Sequence, residues 1–443
     1  MAAPFNLLIF GQLTQDVLRT TTLAATRIGG VSYAASAAAS LGLRVGLLAG
    51  VSEAHEETVR NELQRRGIDT QGLCLDPKPP VTYEILGADE LLTQRTQRRG
   101  PAPWDMTLPK TIPAVYEGAE MALIYPIWMP AALMMARRLR AEGAVLAVDL
   151  QHDVESLADA ADLLKLCDYV FLNVDSLFSL TEAETFDEAL SILRHESGDA
   201  VFIVKMGLGG SVICPSHTQA TIEVPAFLSD FQLTVGAGDA YDAAFLAAVH
   251  QFGAKGPSGL QAAGIYASRV AAAVIESLDY NPSSTLVNKE YLEGRQSVFL
   301  TPERAAQIQV YIAGHFHSVP LRLFIDDIAR VVKHLGMRPF VPHRDVGVVG
   351  TNGLTAHKAY QADVEGVRRS QAVIAVLDGA SRGGTFFEMG LAAERGIPIV
   401  AVCTDRTLPL SNMVRGACGD IVSDIKNIVN PLMLHLAPYY MPS

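Results

Sequence analysis

The chain has few of the residues that build metal centres and disulfide frameworks. It contains five cysteines among 443 residues, none of them in a CxxC or Cys/His metal-binding spacing, and an odd number fits no closed set of disulfides. The sequence therefore predicts neither a structural metal site nor a disulfide scaffold. A reducing cytoplasm is the expected localisation.

Long hydrophobic runs and an excess of positive charge are also missing. Gly, Pro, Asp or Arg interrupts every apolar run before about 18 residues, and the start lacks the basic and apolar regions of a signal peptide. Asp and Glu outnumber Lys and Arg by 47 to 35, for a formal charge of -12. This balance argues against nucleic acid polymers and membranes as partners. We expect small-molecule substrates instead, with any anionic group held by a local site.

Apolar runs rich in Val, Ile and Leu alternate with Ala-rich helical stretches, which is typical of parallel strands covered by helices. The length of 443 residues favours two or three domains. The alternation breaks over residues 280–304, which contain NPSS and the charged run NKEYLEGR. We therefore predict an α/β domain over residues 1–300 and a smaller doubly wound, Rossmann-like (flavodoxin-like) domain over 306–443. Candidate strands lie at 6–10, 45–48, 121–124, 145–148, 169–172, 201–204, 310–313, 372–377 and 397–402.

The most specific local feature of the first part is Gly236-Ala237-Gly238-Asp239, which a helical stretch follows. Small residues let the backbone approach an anion, and a helix start offers free N–H groups and a positive dipole end. A carboxylate at this junction can accept a hydroxyl proton. The pattern thus indicates phosphoryl transfer, and a tight turn with a helix-capping Asp is the simpler alternative.

This stretch resembles the GAGD signature of the ribokinase-like (PfkB) carbohydrate and nucleoside kinases, and the similarity covers ~300 residues. Gly11 with Asp16 looks like the family's substrate-binding GxxxxD, and Gly29-Gly30 resembles its GG segment. VTYEILGADELLTQRTQRRGP occupies the place of the family's small β lid. VFIVKMGLGG, which includes Gly207, resembles the strand and glycine loop beside ATP.

The resemblance implies a ribokinase-like fold and a kinase that uses ATP and Mg²⁺. Asp239 would be the base, and the amides of Gly236, Ala237 and Gly238 would form the anion hole. Asp16 would bind substrate hydroxyls.

Four positions depart from the family pattern. The NxxE element, which helps to organise Mg²⁺ through water, reads Asn173-Val-Asp-Ser176, and Lys205 stands where a Thr commonly faces the nucleotide phosphates. Lys205 could replace that contact with a charged one. Leu233 and Ala34 replace an Asp and an Asn of the pattern. An active kinase and a degenerate, regulatory domain therefore both stay open.

In the second part, three groups converge at the carboxyl ends of predicted strands, where ligands bind in such sheets. They are the loop after Tyr311, the loop 378–384, and Glu388 in the predicted first turn of a helix. A glutamate near a helix N-terminus is expected to keep the anionic form that a carboxylate nucleophile needs. A favourable first-turn charge is the alternative interpretation of Glu388.

VYIAG, an Asp before SQAVIAVLDG, and GGTFFEMGLAAERGIPIVAV together resemble the nucleoside 2-deoxyribosyltransferase superfamily. The resemblance implies that Glu388 attacks the anomeric carbon, that Asp363 acts at the sugar and base, and that Tyr311 places the nucleophile. Gly314 and Gly384 fall in the loops that would hold the substrate. The implied chemistry is that of a retaining glycosidase without a cofactor.

One substitution changes the expected substrate. Transferases that act on free nucleosides usually carry an Asp six residues before the Glu, whereas this chain has Arg382 preceded by Ser381. Arg and Ser donate hydrogen bonds to a 5'-phosphate that an Asp would repel. SNMVRGA, beginning with Ser411 and Asn412, resembles the S-x-M-I-R-G-A stretch of deoxynucleoside 5'-monophosphate N-glycosidases.

In those glycosidases the Ser reaches the ligand of a neighbouring subunit, so the resemblance implies a homo-oligomer. Asn412 also matches an Asn of the transferases. Additional phosphate donors could come from four residues after Tyr311: His315, His317, Ser318 and Arg322.

Three functions remain open from the sequence. The first is a bifunctional enzyme whose N-terminal domain phosphorylates a nucleoside or sugar and whose C-terminal domain hydrolyses a nucleoside 5'-monophosphate to base and pentose 5-phosphate. The second is a deoxyribosyltransferase fused to an independent sugar kinase. The third is a nucleotide-sensing protein with a degenerate kinase domain.

Overall fold

The computed structural model describes most of the chain. The described residues are 4–19, 24–88, 91–150, 154, 156–197, 199–215, 220–227, 235–275, 297–298, 300, 302–316, 318–350, 353–378, 383–405, 410–423, 425 and 428–440. Two compact units divide between Phe299 and Leu300; the larger takes in nearly all of the chain before this point. No helix among these residues is both long enough and apolar enough to cross a membrane.

A twelve-stranded sheet forms the centre of the larger unit. Its main path runs β12-β11-β10-β9-β8-β7-β1-β3-β4, and β2 and β5 pair with β1 beside that path, with β6 on β5. The strands from β10 to β4 along this path are parallel, whereas β11 and β12 join antiparallel. A separate short pair joins β13 to β14. The strands are β1 (Leu7–Arg19), β2 (Ala24–Gly30), β3 (Val45–Ser52), β4 (Ile68–Asp76), β5 (Thr82–Ala88), β6 (Leu91–Arg99), β7 (Met121–Ile124), β8 (Val145–Leu150), β9 (Tyr169–Asn173), β10 (Val201–Lys205), β11 (Ser211–Cys214), β12 (Ile222–Val224), β13 (Ala226–Phe227) and β14 (Ser297–Val298).

Helices cover both faces of this sheet because its central strands are apolar on both sides. Leu7 and Ile9 of β1 face a core with helices α1, α7 and α8. Leu8 and Phe10 face the opposite core with α3 to α6. The helices are α1 (Ser32–Ser40), α2 (Glu56–Arg65), α3 (Met129–Ala141), α4 (Leu157–Leu164), α5 (Val174–Thr181), α6 (Phe186–Ser197), α7 (Ala237–Phe252) and α8 (Gly256–Ile275).

The smaller unit has a five-stranded parallel sheet in the order β16-β15-β17-β18-β19. The strand order reverses between β15 and β17, and such a switch point opens a crevice at the carboxyl ends of the strands. The elements are α9 (Pro302–Ala305), β15 (Gln309–Ala313), α10 (Val319–His334), β16 (Arg338–Phe340), α11 (Pro342–Asp345), α12 (Ala356–Arg369), β17 (Ala372–Val376), α13 (Gly383–Glu394), β18 (Ile399–Val402), α14 (Asn412–Ala417), β19 (Asp420–Val422) and α15 (Val429–Tyr440).

The predicted α/β class is confirmed in both parts of the chain, and the second sheet has the predicted doubly wound order. One detail differs from expectation. The first strand continues to Arg19, so Asp16 lies within it and not after it. The reason is that the second half of β1 leaves the central sheet and pairs with β2, with Asp16 opposite Arg27.

Candidate functional site

A cavity of about 230 Å³ opens beside Asp16 in the larger unit. The Asp16 carboxylate accepts hydrogen bonds from Tyr33 at 2.5 Å and Thr14 at 2.8 Å. Gly29 is required here because a Cβ would lie 2.2 Å from the carboxylate, and Gly30 ends β2 at the cavity wall. Burial raises the pKa of Asp16, and the two hydroxyl donors oppose that shift. The arrangement presents a fixed carboxylate to the cavity, where it can accept hydrogen bonds.

Asp239 reaches the same cavity from the first turn of α7. Gly236 precedes the helix with a φ of 79°, a left-handed conformation that favours glycine, and Ala237 and Gly238 open the helix. Burial raises the pKa of Asp239 to about 6. Asp149 raises it as well, and Lys205 opposes both. The GAGD turn therefore places a carboxyl group that titrates near neutral pH at the end of the cavity.

Lys205 ends β10 directly behind that turn. Its ammonium donates to the two oxygens of Asp242 at 2.8 and 2.9 Å, and it lies 3.4 Å from an oxygen of Asp149. Burial alone would lower the pKa of Lys205, but the carboxylates of Asp149 and Asp242 outweigh it and the pKa is raised. The lysine is therefore held as a cation inside an acidic cluster.

Asn173 and Gly207 flank Lys205. Asn173 lies opposite Lys205 in the β9–β10 ladder, and Gly207 begins the short turn that follows β10. The Asn173 side chain accepts the Ser176 N–H at 2.6 Å and so caps α5. Ser176 is only 2 % exposed and brings no carboxylate to the surface. These two residues thus do not fit the role of a Mg²⁺-organising pair, and the described residues contain no cluster of acidic, His or Cys side chains suited to a metal ion.

In the smaller unit, Tyr311 and Glu388 meet across the sheet and helix layers. The buried Tyr311 hydroxyl donates to Glu388 Oε1 at 2.7 Å. Its ring stacks on Phe340, with centroids 5.4 Å apart. Gly366 permits this packing because a Cβ there would lie 2.6 Å from Phe340. The phenol is thus held rigidly against the carboxylate.

Asp363 of α12 is the second carboxyl group near Glu388. Burial and, to a smaller extent, the charge of Asp363 raise the pKa of Glu388 to about 7, against the opposing effect of the Tyr311 hydrogen bond. Burial also raises the pKa of Asp363 to about 6. The three residues that the sequence nominated therefore lie together, as a half-buried acid pair with one phenolic donor.

The expectation about the ionisation of Glu388 was wrong. Glu388 is the sixth residue of α13 as described from Gly383, not a first-turn residue. Its pKa is raised and not kept low, because burial and the charge of Asp363 outweigh any helix-dipole effect beyond the first turn.

The other predicted residues of this unit surround the same edge. Gly314 follows β15 and packs on Ile325 and Val376, and Gly384 is exposed at the start of α13. Ser318 caps α10 by accepting the Leu321 N–H. Ser411 likewise caps α14 by accepting the Val414 N–H. The remaining donors are His315 in the loop after β15 and the exposed Arg322 and Asn412, whereas His317, Ser381 and Arg382 lie outside the described residues, as does Leu233 of the first unit.

Asp378 is a site residue that the sequence reasoning did not single out. It follows β17, and its carboxylate accepts the N–H groups of Thr404 and Asp405, with contacts of 2.9 to 3.1 Å. It therefore ties the loop after β17 to the loop after β18. A carboxylate directly after a buried strand, in AVIAVLDG, was the available signal.

His343 was missed as well. It lies half-buried in the short helix α11 that follows β16, and its ring stacks on Phe316 of the β15 loop at 5.3 Å. Burial lowers the pKa of His343, which favours the neutral imidazole. This stacking joins the loop after β15 to α11.

Comparison with protein-family models matches residues 26–285 to the pfkB family carbohydrate kinases. The match covers more than half of the chain. The chain belongs to the pfkB family. Residues 310–432 match the nucleoside 2-deoxyribosyltransferase family, so a kinase-type domain precedes a deoxyribosyltransferase-family domain, as the sequence motifs predicted.

Solved structures share the fold of the pfkB domain at low identity. Arabidopsis thaliana ribokinase complexed with ribose and ATP is 18 % identical, with a TM-score of 0.53 over 63 % of this chain and 96 % of that one. The Methanocaldococcus jannaschii nucleoside kinase is 20 % identical, with a TM-score of 0.52 over 66 % and 99 %. Salmonella enterica aminoimidazole riboside kinase is 18 % identical, with a TM-score of 0.53 over 65 % and 99 %. These likenesses establish a ribokinase-like fold, and a search of curated proteins finds no match.

The raised pKa of Glu388 makes stability depend on pH. The folded state binds the proton more tightly than the unfolded state, so stability is lost as pH rises from about 4.5 through about 7. We expect Glu388→Gln to stabilise the protein by about 1–2 kcal/mol at pH 8 and to have little effect at pH 5. Thermal unfolding of both proteins at the two pH values measures this. The exposed Glu394→Gln on the same helix is the control, and an equal effect of Glu388→Gln at both pH values would contradict the prediction.

Proposed function

We propose that the deoxyribosyltransferase-family domain hydrolyses the N-glycosidic bond of a nucleoside 5'-monophosphate. The observation that carries the proposal is the hydrogen-bonded group of Tyr311 and Glu388 with Asp363 beside it. A nucleophilic carboxylate paired with a second carboxyl group is what retaining glycosyl transfer requires. The pair sits at the switch point of a parallel sheet, where ligands bind.

In the proposed first step, a Glu388 oxygen attacks the anomeric carbon and forms an ester with the sugar. The C–N bond breaks, and the base leaves with its electron pair and takes a proton from Asp363. Water then attacks the anomeric carbon, Asp363 accepts a proton from it, and Glu388 leaves as the carboxylate. A pKa of about 6 lets Asp363 both give and take a proton near neutral pH.

Tyr311 has a defined role in this scheme. Its own pKa is raised by burial and by the charges of Glu388 and Asp363, so it stays a neutral donor. A neutral donor stabilises the anionic form of Glu388. It does not form an ion pair, which would lower the nucleophilicity of the carboxylate. The hydrogen bond to Oε1 also restricts rotation of the Glu388 carboxylate.

The preference for a 5'-phosphate rests on the sequence. Ser381 and Arg382 precede the helix that carries Glu388 and replace the acidic residue that would bind a free 5'-hydroxyl. An arginine can bind phosphate through two parallel hydrogen bonds. The chain carries a net charge of -12, so such a local cation is needed to attract a dianion.

For this domain, we expect Glu388→Ala to lower base release from nucleoside monophosphates by at least about 1,000-fold, because no ester can form. Glu394→Ala should keep wild-type activity, since Glu394 is exposed at the end of α13. Arg382→Asp should reverse the preference from monophosphates to free nucleosides, whereas Arg382→Lys should retain it. Chromatographic product analysis measures all four. Wild-type base release by Glu388→Ala would disprove the nucleophile, and transfer to a second base in preference to water would instead identify a deoxyribosyltransferase.

We further propose that the pfkB domain phosphorylates a nucleoside with ATP, using Asp239 as the base. The cavity is lined by the polar residues Gln12, Thr14, Asp16 and Asp239 and by the aromatic and aliphatic residues Val31, Tyr33, Tyr83, Ile85, Tyr125 and Ile127. Sugar hydroxyls suit the polar residues, and a planar base suits the aromatic ones. A free pentose would make little use of the aromatic and aliphatic residues.

The proposed transfer is a single displacement. Asp239 takes the proton of the substrate hydroxyl, whose oxygen bonds to the γ-phosphorus while the bond to the leaving ADP oxygen breaks. The amides at Gly236, Ala237 and Gly238 face the developing charge in this proposal. The monophosphate that results is the substrate class proposed for the second domain.

For the pfkB domain, we expect ATP-dependent formation of a nucleoside monophosphate in the presence of Mg²⁺. Asp239→Asn should lower the rate by about 100-fold or more because it removes the base, while the exposed Asp187→Asn should not. Incubation with labelled ATP and a panel of nucleosides and free pentoses measures the products. Phosphorylation of pentoses alone would contradict the nucleoside assignment, and tight nucleotide binding without transfer would identify a sensing domain.

We also propose that two copies associate through the deoxyribosyltransferase-family domain. Large apolar side chains are exposed in this domain: Tyr360 at 51 % and Phe387 at 55 %, on the helices that carry the acid pair, and Met413 at 84 % on α14. Tyr360 and Phe387 have ring centroids 6.0 Å apart. Exposed clusters of this kind commonly mark an interface, and Ser411 lies two residues from Met413.

We expect Phe387→Asp and Met413→Asp to weaken this self-association at least about tenfold, because each buries an unpaired charge in the interface. Sedimentation over a range of protein concentrations gives the association constant. Phe252→Asp, at a side chain that is 68 % exposed on α7 of the larger unit, is the matched control. A monomeric wild-type protein would rule out the proposal.

A further inference from the structure

Lys205 lies at the centre of an acidic cluster that the proposed phosphoryl transfer does not use directly. Its side chain is 13 % exposed, while those of Asp149 and Asp242 are 5 % and 0 % exposed. Asp242 binds the ammonium through both oxygens, at 2.8 and 2.9 Å. The lysine is thus anchored by protein groups from β8 and α7.

A buried ion pair of this kind contributes little net stability, because desolvation offsets most of the attraction between the charges. Its position is more informative than its energy. A Cβ on Gly238 would lie 3.4 Å from the Lys205 ammonium. The cation therefore lies against the turn that carries Asp239.

Burial is the largest influence on Asp239 and raises its pKa. Asp149 on β8 and Asp16 on β1 raise the pKa as well, whereas Lys205 on β10 and Tyr125, which follows β7, lower it. Asp242, one turn farther along α7, is the carboxylate that Lys205 binds most closely. Lys205 is thus the cation that opposes burial and the two carboxylates at Asp239.

We propose that Lys205 is a positioning residue that neutralises Asp149 and Asp242 and thereby keeps Asp239 in its anionic, proton-accepting form. The inference rests on the proposed kinase function. It differs from a phosphate contact, because the ammonium hydrogens are directed to the carboxylates of Asp242 and Asp149. Removal of the cation would take away the attraction that lowers the pKa of Asp239, while the carboxylate of Asp149, which raises it, would remain.

The pH dependence of phosphoryl transfer tests the proposal. For Lys205→Met we expect the acidic limb of kcat/KM to move up by about one pH unit or more, with activity recovering at high pH and the KM for ATP unchanged. Lys205→Arg keeps the charge, and its acidic limb should stay near that of the wild type. Lys110→Met, at an exposed lysine of the same unit, is the surface control. A raised KM for ATP with an unmoved acidic limb would show a phosphate contact and overturn the proposal.

Lys205→Met could fail to fold because it leaves buried carboxylates without a counter-charge. The double variant Lys205→Met with Asp242→Asn removes one charge of each sign, so it should fold and return the acidic limb toward that of the wild type. An acidic limb that stays at the wild-type position in Lys205→Met, or stays shifted in the double variant, overturns the proposal.

A second measurement separates this inference from the kinase function itself. Absence of transfer by the wild-type protein would disprove the proposed function but not the electrostatic role of Lys205. We therefore expect urea unfolding at pH 8 to show that Lys205→Met destabilises the wild-type background more than the Asp239→Asn background, since the latter has lost one repelling charge. Additive effects in this cycle would overturn the inference.

Discussion

The cost of burying a carboxylate shapes both candidate sites. A carboxyl group removed from water loses its solvation and tends to take up a proton, unless nearby donors or cations hold the anion. Asp16 has the hydroxyls of Tyr33 and Thr14, and Glu388 has the hydroxyl of Tyr311. In each case a neutral donor supports the anion and leaves a free oxygen lone pair for the ligand.

The groups that stabilise the Asp239 carboxylate are different. The Tyr125 hydroxyl acts on it but makes no hydrogen bond of ordinary geometry to any residue that the structure describes. The charge of Lys205 does more than the Tyr125 hydroxyl to offset the burial of Asp239. Asp149 and Asp242 interact with the same lysine. In the proposed transfer, Asp239 must take up a proton, and a nearby charge hinders this less than a fixed donor, which would have to be displaced. The Asp239 carboxylate is thus stabilised by a different physical means from those of Asp16 and Glu388.

The strands explain why these groups meet. Tyr311 is on β15 and Asp378 lies two residues after the end of β17. The order of the smaller sheet reverses between these two strands. In the larger sheet, Asp149 and Lys205 come from β8 and β10, and β9 lies between them. Parallel strands bring their carboxyl ends to one edge, so residues more than fifty positions apart in the chain share a site. Helices α7 and α13 then add Asp239 and Glu388 to those edges.

Much of the fold and several site residues could be predicted from the order of residues in the sequence. Alternating apolar runs predicted two parallel α/β sheets, and short motifs nominated Asp16, Asp239 and Glu388, because glycine turns, capped helices and strand ends are local features that neighbouring residues encode. Tertiary structure decided what local order cannot contain. The pKa of Glu388 is raised because the packing of the domain buries it and brings Asp363 close to it. Lys205 binds Asp242 and Asp149 because β8, β10 and α7 come together in the fold. Asp378 bridges two loops only once β17 and β18 are side by side. Spacing along the chain identifies a titratable side chain. Whether that side chain is ionised depends on its distances to groups remote in sequence and on the exclusion of water, and only the folded chain sets these.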